Sequence, residues 1–216
     1  MIESDMKAPE EGYVWEWRAF GRLRQALIEK IKAQPIRIDD NGNSLSDILG
    51  QDLYLISPNS EHNIKLRKSI GSDWALKFKL LVRTEAHAIE LYQESNKKFY
   101  RFPITKAVVE ETAELLNIKL PESFPASKKI DADSFVQILK DSTPTVKDIL
   151  VGKIRSQYQF ETGWVEMADV TFPNHRTQSI SLHAFERKGL DNLFAELPID
   201  DNLEVMNYLE ACRRWV

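Results

Sequence analysis

Apolar and polar residues alternate over residues 13–20 (YVWEWRAF), with Tyr13, Trp15, Trp17 and Ala19 on one face and Val14, Glu16, Arg18 and Phe20 on the other. A period of two rich in aromatic residues predicts a strand. From residue 21 the period changes: Leu23, Leu27 and Ile31 recur at helical spacing until Pro35 ends the run. Residues 38–47, with Asn41-Gly42, form a loop. Strands are predicted at 51–57, 62–68 and 73–84, the last two joined by a break at Ile70–Asp73. Residues 89–94 and 97–102 read as a hairpin around Ser95-Asn96. A helix over 104–119, a proline-bearing connection over 120–129 and a short helix over 131–142, capped by Asp131 or Asp133, come next. Strands return at 148–161, 163–172 and 178–186, and the tail from 189 to 216 reads as two helices broken at Pro198.

So many strands with few edges left over imply a sheet closed on itself, an α+β fold with helices packed outside a closed antiparallel barrel. At 216 residues the length favours one domain, 1–216, with residues 1–12 as a flexible lead and a C-terminal helix within 198–216. Cys212 is the only cysteine, so no internal disulfide forms and a reducing, cytoplasmic setting is expected. No apolar stretch approaches the roughly 18 residues that a membrane helix needs. A net charge of -4 argues against a non-specific nucleic-acid binder. Nothing in the sequence fixes the oligomeric state.

The distribution of charge says more than the total. Side chains at i and i+2 share a strand face, which pairs Lys65 with Arg67, Lys77 with Lys79 and Lys153 with Arg155, with Arg83 continuing the second pair. Any one pair is satisfied by facing solvent. The opposite faces carry Ile64, Leu66, Phe78, Leu80, Ile154 and Tyr158, enough for a core layer. If that layer packs outward against the helices, the cations point into the barrel. An interior lined by like charges repels itself and needs a polyanion or carboxylates to balance it. Trp15, Trp17, Trp74 and Trp164 are expected in the outward core.

The order of these features resembles the CYTH family, the triphosphate tunnel metalloenzymes. The family's opening E-x-E-x-K strand is matched by VWEWR (Val14–Arg18), its Tyr-bearing strand by QDLYLIS, and its basic strands by IKLRK, LKFKLLVR and GKIRSQYQF. Its acidic strand is matched by WVEMADV and its closing strand and helix by SISLHAFERKGLDNLFAEL, so the match runs in order from about residue 13 to residue 197. The resemblance implies an eight-stranded antiparallel tunnel that binds a triphosphate or polyphosphate anion, with Glu residues holding Mg2+ or Mn2+. Family activities include triphosphate hydrolysis, thiamine triphosphate hydrolysis and adenylyl cyclisation.

Carried onto this chain, Arg18, Lys65, Arg67, Lys77, Lys79, Arg83, Lys153 and Arg155 are the phosphate contacts. Glu16 and Glu166 are the catalytic carboxylates, Glu16, Glu166 and Asp169 the metal set, and His183 lines the tunnel. The chain departs from the pattern where metal is held. Val14 replaces the first glutamate, Arg18 replaces the lysine, and His183 and Phe185 stand where the closing strand often carries E-x-E. Glu166 and Asp169 have opposite strand parity, so a regular strand turns only one of them inward. Mg2+ prefers several oxygen ligands, so the phosphate-binding half of the apparatus is kept and the metal-binding half eroded.

Three readings follow. The first is a tunnel protein that binds a triphosphate, a polyphosphate or a triphosphate-bearing organic ligand with weak or absent hydrolysis. The second is a metal-dependent triphosphatase, a phosphoric anhydride hydrolase. The third is a non-catalytic interaction module. The sequence leaves open the organic group on any ligand, and whether the C-terminal helices plug the tunnel.

Overall fold

The computed structural model describes residues 12–94, 99–121 and 129–216. The Ser95-Asn96 turn, most of the lead 1–12 and most of the connection 120–129 lie outside the described residues. Eight strands close the barrel: β1 (Tyr13–Phe20), β2 (Ile48–Ile56), β3 (Asn63–Ser69), β4 (Ala75–Glu85), β5 (Ile89–Gln93), β7 (Lys147–Gln159), β8 (Trp164–Thr171) and β9 (Arg176–Ala184). Two short strands join the rim, β6 (Phe99–Arg101) on β4 and β10 (Glu204–Val205) on β1. The order around the wall is β1-β5-β4-β3-β2-β7-β8-β9, and β1 pairs with β9 over Trp15–Phe20 to close it. Each neighbouring pair is antiparallel, so no long edge is left open to pair with another chain.

Closure gives every strand an inside and an outside, and the helices cover much of the outside. α1 (Gln25–Lys32) and α4 (Arg187–Glu196) pack Leu27, Ile31, Leu190 and Leu193 against Trp15, Trp17, Tyr158 and Leu182. α2 (Lys106–Leu115) and α3 (Ala132–Ser142) place Val109, Ala113, Phe135 and Leu139 over Ile64, Leu66, Leu76 and Phe78. Burial of one such leucine or isoleucine contributes about 1.5–3 kcal/mol. The Asp131 side chain accepts from Ser134 N at 2.8 Å and caps α3.

α5 (Tyr208–Arg214) lies across one end of the barrel. Its Tyr208, Leu209, Ala211 and Cys212 pack against Phe20, Tyr54, Ile56, Ile149, Val151 and Val170, which share strand parity with the charged residues of the interior. This apolar cluster seals that end, and the C-terminal segment is therefore the floor of the barrel. Asn207 and Glu210 form a reciprocal capping box that fixes where α5 begins.

Three expectations are corrected. Among the described residues, the expected hairpin of 89–94 with 97–102 is not formed: β5 and β6 do not pair with each other. β5 pairs with the Leu80–Glu85 end of β4 and β6 with its Ala75–Lys77 end, so both serve the same strand. Ile154 is 46% exposed and does not join the core. The tail holds α4 and α5, but β10 separates them rather than a simple break at Pro198.

Close backbone approach explains two glycines. A Cβ on Gly163 would lie 2.2 Å from His183 O, and one on Gly189 would lie 2.5 Å from Thr162 O. The β7–β8 turn thus sits directly against the end of β9 and the first turn of α4. Gly189→Ala is expected to cost about 1–3 kcal/mol as overpacking. Thermal unfolding checks this, with the midpoint falling by roughly 2–10 °C for a chain of this size.

Candidate functional site

The inward faces of the strands enclose a cavity of about 380 Å³ that opens at the end opposite α5. Strand alternation delivers the predicted basic pairs to it: Arg18 from β1, Lys65 and Arg67 from β3, Lys77 and Lys79 from β4, and Lys153 and Arg155 from β7. Glu16, Glu166 and His183 also line it. Arg83 and Asp169 do not. A register shift between Leu81 and Arg83 turns Arg83 outward, where it is largely exposed, pairs with Glu85 at 3.0 Å and lies over the Trp15 ring. Asp169 keeps regular parity with Glu166 and so emerges on the outer face, accepting a hydrogen bond from Gln178. Trp164 departs the other way. Its parity is that of Glu166, and it lines the cavity rather than the outer core.

Carboxylates hold the cations in place. Asp52 is the deepest hub. It accepts from Arg67 Nε at 2.7 Å and Nη2 at 2.9 Å and from Lys153 Nζ at 2.7 Å, and Lys65 Nζ lies 3.3 Å away. Tyr54 Oη donates to Asp52 and accepts from both lysines. Glu16 receives Arg18 Nε at 3.0 Å and also Lys79. Glu94 accepts from Lys77 at 3.0 Å and pairs with Lys79 at 2.8 Å. Glu166 accepts from Gln157 at 2.9 Å and meets Arg18 and Arg155 at 3.5 Å. On the floor, Lys153 Nζ sits 3.4 Å from the centroid of the Tyr208 ring and the Arg18 guanidinium 4.5 Å from it.

The sequence reading does not single out Asp52, Tyr54, Glu94, Arg37 or Tyr208. Asp52-x-Tyr54 lies on a predicted strand and carries a readable signal, since both must face the same way. Arg37 comes from the loop after α1, and Tyr208 from a helix that reaches the lumen only through tertiary packing, so alternation on the strands points to neither.

Burial works against every one of these charges, and ion pairing decides the outcome. Glu16 is raised by burial, but Lys79, Arg18 and His183 outweigh that and hold its carboxyl down at about 2. Asp52, Glu94 and Glu166 lie well below the usual carboxylate range for the same reason. Lys65 has too little compensation. Burial pushes its amine well down and Arg67, Lys153 and Lys77 add to this against the pull of Asp52. Arg67 also depresses Arg155. Cations outnumber carboxylates in this space, and the excess is what a polyanion would relieve.

The carboxylates are not arranged for a metal. Among the described residues no three His, Cys, Asp or Glu side chains converge to hold one. Arg18 contacts both Glu16 and Glu166, filling the position between them with a cation. The donor set therefore does not fit Mg2+ or Mn2+ as a ligand of the protein alone.

No protein-family model and no curated protein matches the sequence. Solved structures do resemble the fold. A conserved hypothetical protein from Pyrococcus furiosus superposes with a TM-score of 0.52 at 13% identity, over 91% of this chain and 98% of its own. A candidate adenylate cyclase from Bacillus halodurans gives 0.44 at 12% identity over 88% and 96%. A candidate adenylyl cyclase from Hippeastrum, described as having a dominant triphosphatase activity, gives 0.48 at 10% identity over 93% and 95%. The Pyrococcus likeness is one of fold. No helix among the described residues is long and apolar enough to cross a membrane.

His183 is buried beneath the mouth with its ring stacked on Trp164, and its Nε2 shares a 2.8 Å hydrogen bond with Ser181 Oγ. Its Nδ1 lies 3.5 Å from Glu16 Oε2 but makes no hydrogen bond. Burial pulls its pKa down from 6.5 to about 4 against the attraction of Glu16. Between those values the unfolded chain binds more protons than the folded one, so stability falls as pH drops from 6.5 toward 4. The loss amounts to at most about 3 kcal/mol. Melting curves across that window should fall less steeply for His183→Gln than for the parent protein.

Proposed function

We propose that this chain is a CYTH-type tunnel protein that binds a triphosphate group in its barrel, with hydrolysis weak or absent. The observation that carries this reading is the convergence of Arg18, Lys65, Arg67, Lys77, Lys79, Lys153 and Arg155 on one enclosed cavity. Phosphate oxygens accept charge-assisted hydrogen bonds from such groups, and exclusion of water strengthens them. The sealed floor favours a short chain end over a long polyphosphate, which has nowhere to thread. Weak turnover follows from the carboxylates. Glu16, Asp52, Glu94 and Glu166 are each engaged by a cation, so none of these four stands ready to place a metal on the phosphates or to activate water. Location in the cytoplasm, a lack of nucleic-acid partners and the single-domain reading are part of the proposal.

The metal-dependent triphosphatase remains the second reading because Glu16 and Glu166 reach the same guanidinium. A phosphate that captured Arg18 would free both carboxylates toward its own oxygens.

In the presence of a chelator, tripolyphosphate at about 100 times its Kd should raise the melting midpoint by roughly 5–10 °C. A midpoint unchanged at millimolar tripolyphosphate both in chelator and with Mg2+ leaves only the interaction-module reading. Arg155→Gln, and Lys153→Ala combined with Arg155→Ala, should each weaken tripolyphosphate binding by about tenfold or more in calorimetry. Phosphate release from tripolyphosphate should stay near background with Mg2+ or Mn2+. Metal-dependent release that Glu16→Gln abolishes would establish the triphosphatase instead.

A further inference from the structure

Outside the cavity, one short stretch of the wall is paired on one side only. β3 ends its pairing with β4 at Asn63, opposite Lys79, yet β4 runs on to Glu85. β5 covers the other side of this overhang, from Leu80 to Glu85. On the β3 side no further strand pairs with it among the described residues. His62 Nδ1 accepts from Leu81 N at 3.2 Å and so caps the first free position. Beyond it Val82 is 49% exposed, and Arg83 and Thr84 are exposed with it. A groove of about 510 Å³ follows this edge, bounded by residues 59–62 and the end of α2. An open strand edge presents N–H and C=O groups to which another strand can pair.

The register shift decides which residue presents them. Leu81 lies opposite Tyr92 and directs its N–H to the β3 side. The extra residue at Val82 then passes the same orientation to Thr84, which lies opposite the inward-facing Glu90. The backbone groups of Thr84 therefore face the open edge, while Arg83 and Glu85 turn outward on either side of it.

The charges of this segment are complementary to their own reverse. Arg83 and Glu85 pair with each other at 3.0 Å within the chain. In an antiparallel pairing about a two-fold axis at Thr84, residue 83 of each copy meets residue 85 of the other. An axis at Arg83 or at Glu85 sets like charges directly opposite, which destabilises a strand pair. One register alone places opposite charges together on both sides of the axis.

We propose that two copies of this chain associate edge to edge, β4 against β4, with Thr84 on the two-fold axis and Arg83 of each copy facing Glu85 of the other. This inference is independent of the ligand reading. The contact is short, so the dimer is weak and depends on concentration. Glu90, opposite Thr84, accepts from Asn207 at the start of α5 at 2.7 Å. The joint thus lies toward the floor of each barrel and leaves both mouths open.

Sedimentation equilibrium of the whole protein between about 10 and 500 µM tests the proposal. The weight-average mass should climb from 25.0 kDa toward twice that value. Arg83→Glu and Glu85→Arg each set like charges across the axis twice and should each weaken association about tenfold. Mixing the two variants in equal amounts should restore it to within about threefold of the parent, since the mixed pair opposes only unlike charges. Neither variant regains an opposite charge within its own chain, so recovery on mixing reports contact between chains. Thr84→Pro, which removes the central N–H and leaves the charges alone, should abolish association. Far-ultraviolet circular dichroism of each variant checks that the fold is kept. A mass of one chain throughout the range overturns the proposal and leaves the edge to a strand of another protein. A dimer that Arg83→Glu does not weaken uses another surface and overturns it as well. So does a failure of the two folded variants to associate when mixed.

Discussion

Enclosing charge inside a closed sheet is the constraint on which the rest of this structure depends. A lysine or arginine withdrawn from water needs a counter-charge within hydrogen-bonding reach, and Asp52 supplies one to Arg67, Lys65 and Lys153 together. Removing such a partner from a buried pair costs about 3–5 kcal/mol, because the remaining charge is stranded. The aromatic rings of Tyr54 and Tyr208 beneath these ammonium groups add the negative face of their π-systems to the balance. The donors are therefore held in fixed positions by carboxylates and rings, not left on mobile surface chains.

The same balance explains why the carboxylates look unsuited to metal. Glu16, Glu94, Glu166 and Asp52 answer a protein need first, since without them the lumen would repel itself. Their pairing leaves each cation some capacity toward the cavity but leaves little basicity on the acids. Val14 and His183 add no ligand to this set. One is apolar and the other neutral above about pH 4, so neither supplies an anionic oxygen at the mouth.

The barrel and its basic lining were legible because strand periodicity is strict. Lys65-x-Arg67, Lys77-x-Lys79 and Lys153-x-Arg155 each had to share a face, and the apolar residues between them identified the other face as core. Legibility ended where the period breaks or where an element outside the sheet intrudes. Arg83 was misplaced by one bulge, Asp169 by keeping it in the metal set despite a parity opposite to that of Glu166, and Trp164 by treating a large aromatic as core irrespective of its parity with Glu166. Tyr208 and Arg37 reach the lumen from a helix and a loop, and no local pattern in those segments indicates it. The β5–β6 pairing was misread because nearness in sequence imitates a hairpin, whereas both segments lie along one longer strand.

The helical floor has a kinetic consequence. With α5 packed against Phe20, Tyr54 and Val151, the lumen is a cul-de-sac. For any bound molecule, arrival and departure would share one doorway, and it would have to back out before another could start in. If the proposed ligand binds there, its occupancy alone would regulate traffic without any moving gate, and long residence of one guest would itself be a form of inhibition.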